Sequence, residues 1–131
     1  MEIKWNDLMK IGVQEIDEQH QTLIDAIDRL GEAMLSDQQS EKIEEVLTFI
    51  IQYSQTHFKT EEAYFDRYDG PEIQANKQDH AWFVKTSASF MEDFRKKGAD
   101  LNLIIKIHKF LVDWLLQHIL EIDTALRKYV Q

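Results

Sequence analysis

Ile43-Glu-Glu-Val-Leu-Thr-Phe-Ile50-Ile-Gln-Tyr-Ser-Gln-Thr-His57-Phe-Lys-Thr-Glu61 reads as one amphipathic helix whose inner face changes character along its length. Ile43, Val46, Leu47 and Ile50 follow the i, i+3, i+4, i+7 spacing of a buried stripe. Ser54, His57 and Glu61 continue that stripe, so an imidazole and a carboxylate fall where apolar side chains belong. The pattern extends over about residues 41–68, and three other stretches share its rhythm. Residues 17–35 align His20, Leu23, Ile24, Ile27, Leu30 and Met34. Residues 72–96 align Ile73, Asn76, His80, Phe83, Ser87, Phe90 and Phe94, and residues 101–129 align Ile104, Ile107, Leu111, Leu115, His118 and Ile122.

The breaks between these stretches carry helix punctuation. Asp69-Gly70-Pro71 is a turn followed by a proline suited to a first helical position. Lys96-Lys97-Gly98 is a basic last turn with a glycine stop, and Asp100 can cap the fourth helix. The polar run from Ser36 to Ser40 separates the first two helices, with Ser40 as the expected cap. Short connections make successive helices antiparallel, which predicts an all-α, up-down-up-down four-helix bundle as a single domain over residues 1–131. Residues 1–16 have no clear period and are expected to form an N-terminal arm, with Trp5, Ile11 and Val13 packed on the bundle.

Four of the five histidines, His20, His57, His80 and His118, sit one per helix and each in the buried stripe. Two bring an acid, Glu61 and Asp123. At ~1.5 Å per residue all six lie within roughly 16 Å of one end of the bundle. A lone buried histidine is usually a satisfied core residue. Four imidazoles and two carboxylates converging on one core would be costly without a cation between them, which points to metal. Nitrogen and oxygen donors without thiolate suit iron, manganese or zinc, and two acids able to bridge favour a pair of ions. One element does not fit a regular helix: His57 and Glu61 are ~40° apart around it, but His118 and Asp123 are ~140° apart. Either Asp123 reaches sideways or the backbone widens. His108 lies ten residues before His118, roughly 15 Å along the helix and about 80° round, and reads as a surface or second-layer histidine and not as a ligand. Trp82, Trp114 and the seven phenylalanines read as core, with Trp114 and Phe58 also shielding the neighbouring histidines from water.

Composition excludes several classes. A formal charge of −9 and a pI near 4.9 leave no basic face for nucleic acid. The absence of cysteine removes thiolate metal sites, Fe–S clusters and disulfides. No apolar run approaches a membrane span, and Met1-Glu-Ile-Lys-Trp5 lacks a signal-peptide pattern, so a cytoplasmic protein is expected. No exposed apolar face stands out beyond the four core stripes.

These residues resemble the hemerythrins, specifically the single-domain bacterial type. The resemblance runs through Trp5, Gly12-Val-Gln-Glu-Ile-Asp-Glu-Gln-His20, His57-Phe-Lys-Thr-Glu61-Glu62, His80, Trp114-Leu-Leu-Gln-His118-Ile and Asp123. It implies a non-haem centre of two iron ions, joined by an oxo or hydroxo bridge, that binds O2 reversibly. By the same resemblance His20 and His57 hold the iron with the open position, and His80 and His118 hold the second. Glu61 and Asp123 bridge them, and Leu23, Phe58, Leu115 and Ile119 form the apolar oxygen pocket.

One position departs from the family pattern. The family carries a further histidine four residues before His80, where this chain has Asn76. The second iron then has two imidazoles, and a neutral amide oxygen is a poorer ligand for Fe(II). Asn76 coordinates weakly, or water or another residue fills the place, or the position stays open to peroxide or a small anion. The leading expectation is O2 storage, delivery or sensing. The alternative is a di-iron enzyme of peroxidase or oxidase type removing peroxide, O2 or nitric oxide. A third reading is an interaction module whose metal is structural.

Overall fold

The computed structural model describes residues 4–35, 40–98 and 100–130. Four long helices, α1 (Gln14–Leu35), α2 (Ser40–Phe65), α3 (Pro71–Lys97) and α4 (Leu101–Gln117), form the antiparallel bundle. Helix α4 runs on through a π-helical segment, His118–Asp123, into a 3-10 helix, Thr124–Tyr129. Each helix packs on its two neighbours around the ring, α1 against α2 and α4, and α3 against α2 and α4.

The punctuation acts as its chemistry dictates. Pro71 opens α3, where its missing N–H leaves no bond unmade. Gly98 ends it at φ 69°, donating its N–H to the Phe94 carbonyl, with Arg95, Lys96 and Lys97 in the last turn. The Asp100 carboxylate accepts from the Leu103 N–H at 3.2 Å and caps α4. The polar break at 36–39 and the cap expected of the Ser40 side chain lie outside the described residues.

Helix α1 starts three residues before the expected Asp17, and the reason is tertiary. The buried Asp17 carboxylate accepts from Ile11 N–H at 2.9 Å and Gly12 N–H at 3.2 Å, so it hooks the arm onto the first helical turn. Arg127 clamps the arm from the far end of the chain, donating to Lys10 O at 2.7 Å and Leu8 O at 2.6 Å. Helix α2 stops at Phe65, short of the expected Tyr68, whose N–H instead closes a turn on the Phe65 carbonyl.

The apolar interior is divided. A large cluster including Leu23, Ile27, Leu30, Leu47, Phe83, Phe94, Leu111 and Leu115 fills most of the bundle. A smaller one, Ile11, Ile16, Phe65, Ile73 and Leu126, closes the end where the arm and the 3-10 helix meet. Between Ile16 and Leu23 on α1, and between Phe58 and Phe65 on α2, the buried stripe is polar: His20 and Glu61. Trp82 departs from its expected core position, being 52% exposed on α3, and Phe49 is 40% exposed on α2. Among the described residues no helix is long and apolar enough to cross a membrane.

Candidate metal centre

The layer between the two apolar clusters draws donors from every helix. His20 comes from α1, His57 and Glu61 from α2, Asn76 and His80 from α3, and His118 and Asp123 from the π segment; all are buried. Ligand atoms of His20, His57, Glu61, His118 and Asp123 all lie within 4.8 Å of one another. His80 stands outside that tightest group but reaches it through Glu61, its Nε2 lying 2.9 Å from Glu61 Oε1.

The two acids sit among the rings. Glu61 Oε1 lies 3.2 Å from His118 Nε2 and 3.3 Å from His57 Nε2. Asp123 Oδ2 lies 2.7 Å from His20 Nε2 and 2.9 Å from His118 Nε2. The imidazoles fall into two pairs, His20 with His57 at 4.4 Å between ring centroids and His80 with His118 at 5.1 Å. The cross distances of His20 and His57 to His118 are 6.3 and 6.1 Å.

The awkward spacing of His118 and Asp123 is resolved by the backbone. In a π-helix the bond runs from i to i+5, seen where Thr124 N–H reaches the Ile119 carbonyl, and the wider turn brings residues five apart to one face. His118 and Asp123 are thus equivalent to His57 and Glu61 four apart on a regular helix. The widening, not a sideways reach, delivers Asp123.

Three of the four histidines are aimed from behind. His57 Nδ1–H donates to Gln19 Oε1 at 2.8 Å, His80 Nδ1–H to Glu62 Oε2 at 2.7 Å, and His118 Nδ1–H to Asp79 Oδ2 at 2.7 Å. An amide oxygen or a carboxylate can only accept, so each bond puts the proton on Nδ1 and turns Nε2 inward. Sequence reasoning missed all three partners. Each adjoins a site residue in the chain, but all three serve histidines on other helices, which no local spacing reveals. Rings finish the enclosure: Trp114 stacks on His118 at 4.5 Å and Phe58 on His80 at 4.1 Å.

Asn76 does not offer its oxygen to the cluster. Its Nδ2 donates to Asp123 Oδ1 at 2.9 Å and to Glu61 Oε1 at 3.4 Å, tying the two acids together. An amide nitrogen has no lone pair to give a metal. His108, expected at the surface or in an outer layer, is buried and far from the cluster, against α1. A Cβ on Gly31 would meet its Nε2 at 3.0 Å, so that glycine makes room for the ring.

Charge in the metal-free site balances through protons. Burial works against charging His57, but Glu61 and Asp123 outweigh it and raise it to about 9. Burial opposes charging His118 as well, yet Asp123 and Glu61 hold it well above its ordinary value. Burial dominates at His20 and lowers it. Glu61 is held well below the usual carboxylate range, because His57 and His118 overcome its burial. Asp123 is lowered too, His118 prevailing over burial and the neighbouring Glu61 charge. Two imidazoliums thus face two carboxylates, and metal binding here must release those protons.

Hydrogen bonding does not exhaust the cluster. Among the described residues seven buried side-chain N and O atoms have no hydrogen-bond partner, and five are His20 Nδ1, His20 Nε2, His57 Nε2, Glu61 Oε2 and Asp123 Oδ2. His20 Nε2 and Asp123 Oδ2 are close to each other yet out of line for N–H···O bonding. Donors that converge without bonding one another suit a cation, and imidazole with carboxylate suits iron.

A buried imidazole–carboxylate cluster inside a four-helix bundle defines a non-haem metal-binding protein. The comparisons with known proteins narrow that class. Residues 11–130 match the Hemerythrin HHE cation binding domain. The chain is 31% identical to a bacteriohemerythrin of Stenotrophomonas maltophilia over 121 residues, covering 92% of this chain and 76% of that one. It is 26% identical to a Clostridium acetobutylicum bacteriohemerythrin over 132 residues, covering 96% and 97%. A crystal structure of wild-type hemerythrin superposes with a TM-score of 0.83 at 23% identity, covering 96% of this chain and 95% of that one. The chain belongs to the hemerythrin family, whose domain binds two irons.

Proposed function

We propose that this protein binds O2 reversibly at a pair of irons. His20 and His57 hold one, His80 and His118 the other, and Glu61 and Asp123 lie across both. The observation that carries this reading is the grouping of four rings into two pairs around two shared carboxylates, with His20 Nε2, His57 Nε2, Glu61 Oε2 and Asp123 Oδ2 left without hydrogen bonds. When bound, reduced iron supplies the electrons that hold O2.

The protein's own residues do the rest. Gln19, Glu62 and Asp79 fix which nitrogen faces inward. Leu23, Phe58, Leu115 and Ile119, all buried in the large apolar cluster, would line the O2 pocket. A dry wall admits a small neutral molecule and keeps out water and protons, which favours release of O2 unchanged over reduction.

The test is to reduce the iron-loaded protein, admit air and follow the visible spectrum. A new absorption that disappears on deoxygenation and returns with air supports carriage. Irreversible conversion to the oxidised pair, with turnover of peroxide or nitric oxide in the presence of a reductant, replaces it with the enzyme reading.

That second reading draws on Asn76. With its nitrogen turned to the acids, the His80 and His118 iron would have two imidazoles and a further position for water, peroxide or a small anion. Asn76→His should then raise iron retention and lengthen the life of the oxygenated form. If neither changes, Asn76 does not set the chemistry.

A further inference from the structure

The hydrogen bonds behind the histidines are unequal. His80 and His118 each donate Nδ1–H to a carboxylate, Glu62 and Asp79, both at 2.7 Å. His57 donates to the neutral amide of Gln19, and His20 Nδ1 has no partner among the described residues. The inequality tracks the pairing of the rings: both carboxylate-backed imidazoles belong to one pair.

A carboxylate accepting Nδ1–H pulls the proton outward and leaves more negative charge on the ring, which makes Nε2 a stronger donor. Such charge-assisted bonds are shorter and stronger than a bond to an amide. Stronger donation favours the higher oxidation state of whatever metal the ring holds. Two such rings, plus the nearby charges of Glu62 and Asp79, act on one position and not on the other. The Asn76 bonds do not undo this, because Asn76 donates to both shared acids.

We propose that Glu62 and Asp79 are positioning residues that set the two irons apart in redox potential, so that the His80/His118 iron is oxidised first. The inference rests on the paired-iron reading above. Where Asn76 stands in place of an imidazole, the two remaining rings are thereby made better donors. The step is a single-electron transfer. One electron leaves the His80/His118 iron, taking Fe(II) to Fe(III), and reduces an external one-electron oxidant such as ferricyanide to ferrocyanide. The Nδ1 protons stay in their bonds to Glu62 and Asp79.

The experiment is stepwise oxidation of the reduced, iron-loaded protein with ferricyanide, tracking the half-oxidised form by EPR and the midpoint of each step. The unmodified protein should show two separated steps and accumulate the half-oxidised form. Glu62→Gln or Asp79→Asn should each shift the first step about tenfold in equilibrium constant, ~59 mV for one electron, and leave the second nearly in place. Both side chains are partly exposed, 39% and 20%, so the amide replacements should fold. Gln19→Glu, which gives His57 a carboxylate, should draw the two steps together and stands alone if the other variants lose iron. Equal shifts of both steps, or none with two irons still bound, overturn the proposal. Failure of the unmodified protein to take up two irons overturns the paired-iron reading instead, and iron analysis tells the two failures apart.

Discussion

Toward the end where α2 begins, Leu30, Leu47, Phe94 and Leu103 fill the space between the helices; farther along, beneath the small apolar cap, His20, Glu61, His118 and Asp123 occupy it. The helices are the same four, and both layers are almost fully buried. The apolar layer is held by removal of surface from water, which has no direction and tolerates a neighbour of similar volume. The polar layer is held by matched charges in a dry interior, where every group depends on named partners. One region can lose a methylene and stay itself. The other cannot lose a charge without changing what it is for.

Two truncations break the comparison most sharply. Glu61→Ala strands two buried imidazoliums and should cost about 3–5 kcal/mol in the metal-free protein. It should also drop iron below one per chain. Leu47→Ala in the apolar layer should cost a similar ~2–5 kcal/mol through its cavity. Its iron content should be unchanged. Urea unfolding with iron analysis on the same samples checks both, and iron loss in the Leu47 variant would dissolve the division between the layers.

Acidity should separate the layers next. His57 is raised to about 9 in the folded, metal-free chain, so its stabilisation is full below its ordinary 6.5 and drains away as pH rises through about 9. Glu61 runs the other way, contributing above its ordinary 4.5 and losing that as pH falls through its lowered value. Melting temperature in chelator should therefore fall on both sides of neutrality. The iron-loaded protein should lack the alkaline fall, since a metal on Nε2 leaves no proton there to lose. A flat alkaline limb in chelator would mean that His57 is already neutral, with its one proton on Nδ1.

A smaller effect is expected within the π segment. Removing the exposed Leu120 lets the chain close as a regular helix with the carboxylate four residues after His118, the spacing of His57 and Glu61. Circular dichroism should show an intact bundle and iron analysis an intact site. Loss of iron would show that the widened turn itself, and not the facing it achieves, is required. The least effect belongs to His108→Leu: its Nε2 is buried without a hydrogen-bond partner, and the replacement gives up one bond to the Ile27 backbone, so stability should fall by about 1 kcal/mol at most and iron content should stay where it was.

Much of this was legible in the chain. The 3.6-residue rhythm gives the four helices because a bundle buries one stripe of each, and Gly98, Pro71 and Asp100 end or begin them by local backbone chemistry. His20, His57, Glu61, His80 and His118 stood out because an imidazole or acid inside an apolar stripe interrupts a pattern; Asp123 lay off its stripe, and only the widened turn brings it to the others. Trp82 and His108 were placed wrongly, for burial at a stripe's edge depends on the neighbouring helix.

The amino-acid order by itself determined the bundle and the set of polar residues turned into it, since periodicity and residue type are properties of each helix alone. Tertiary structure decided what distance between helices controls. It widened the turn that delivers Asp123, set Gln19, Glu62 and Asp79 behind histidines of other helices, and turned the Asn76 amide toward the acids. Those choices minimise the energy of buried charge, which depends on every neighbour at once and is written in no single segment.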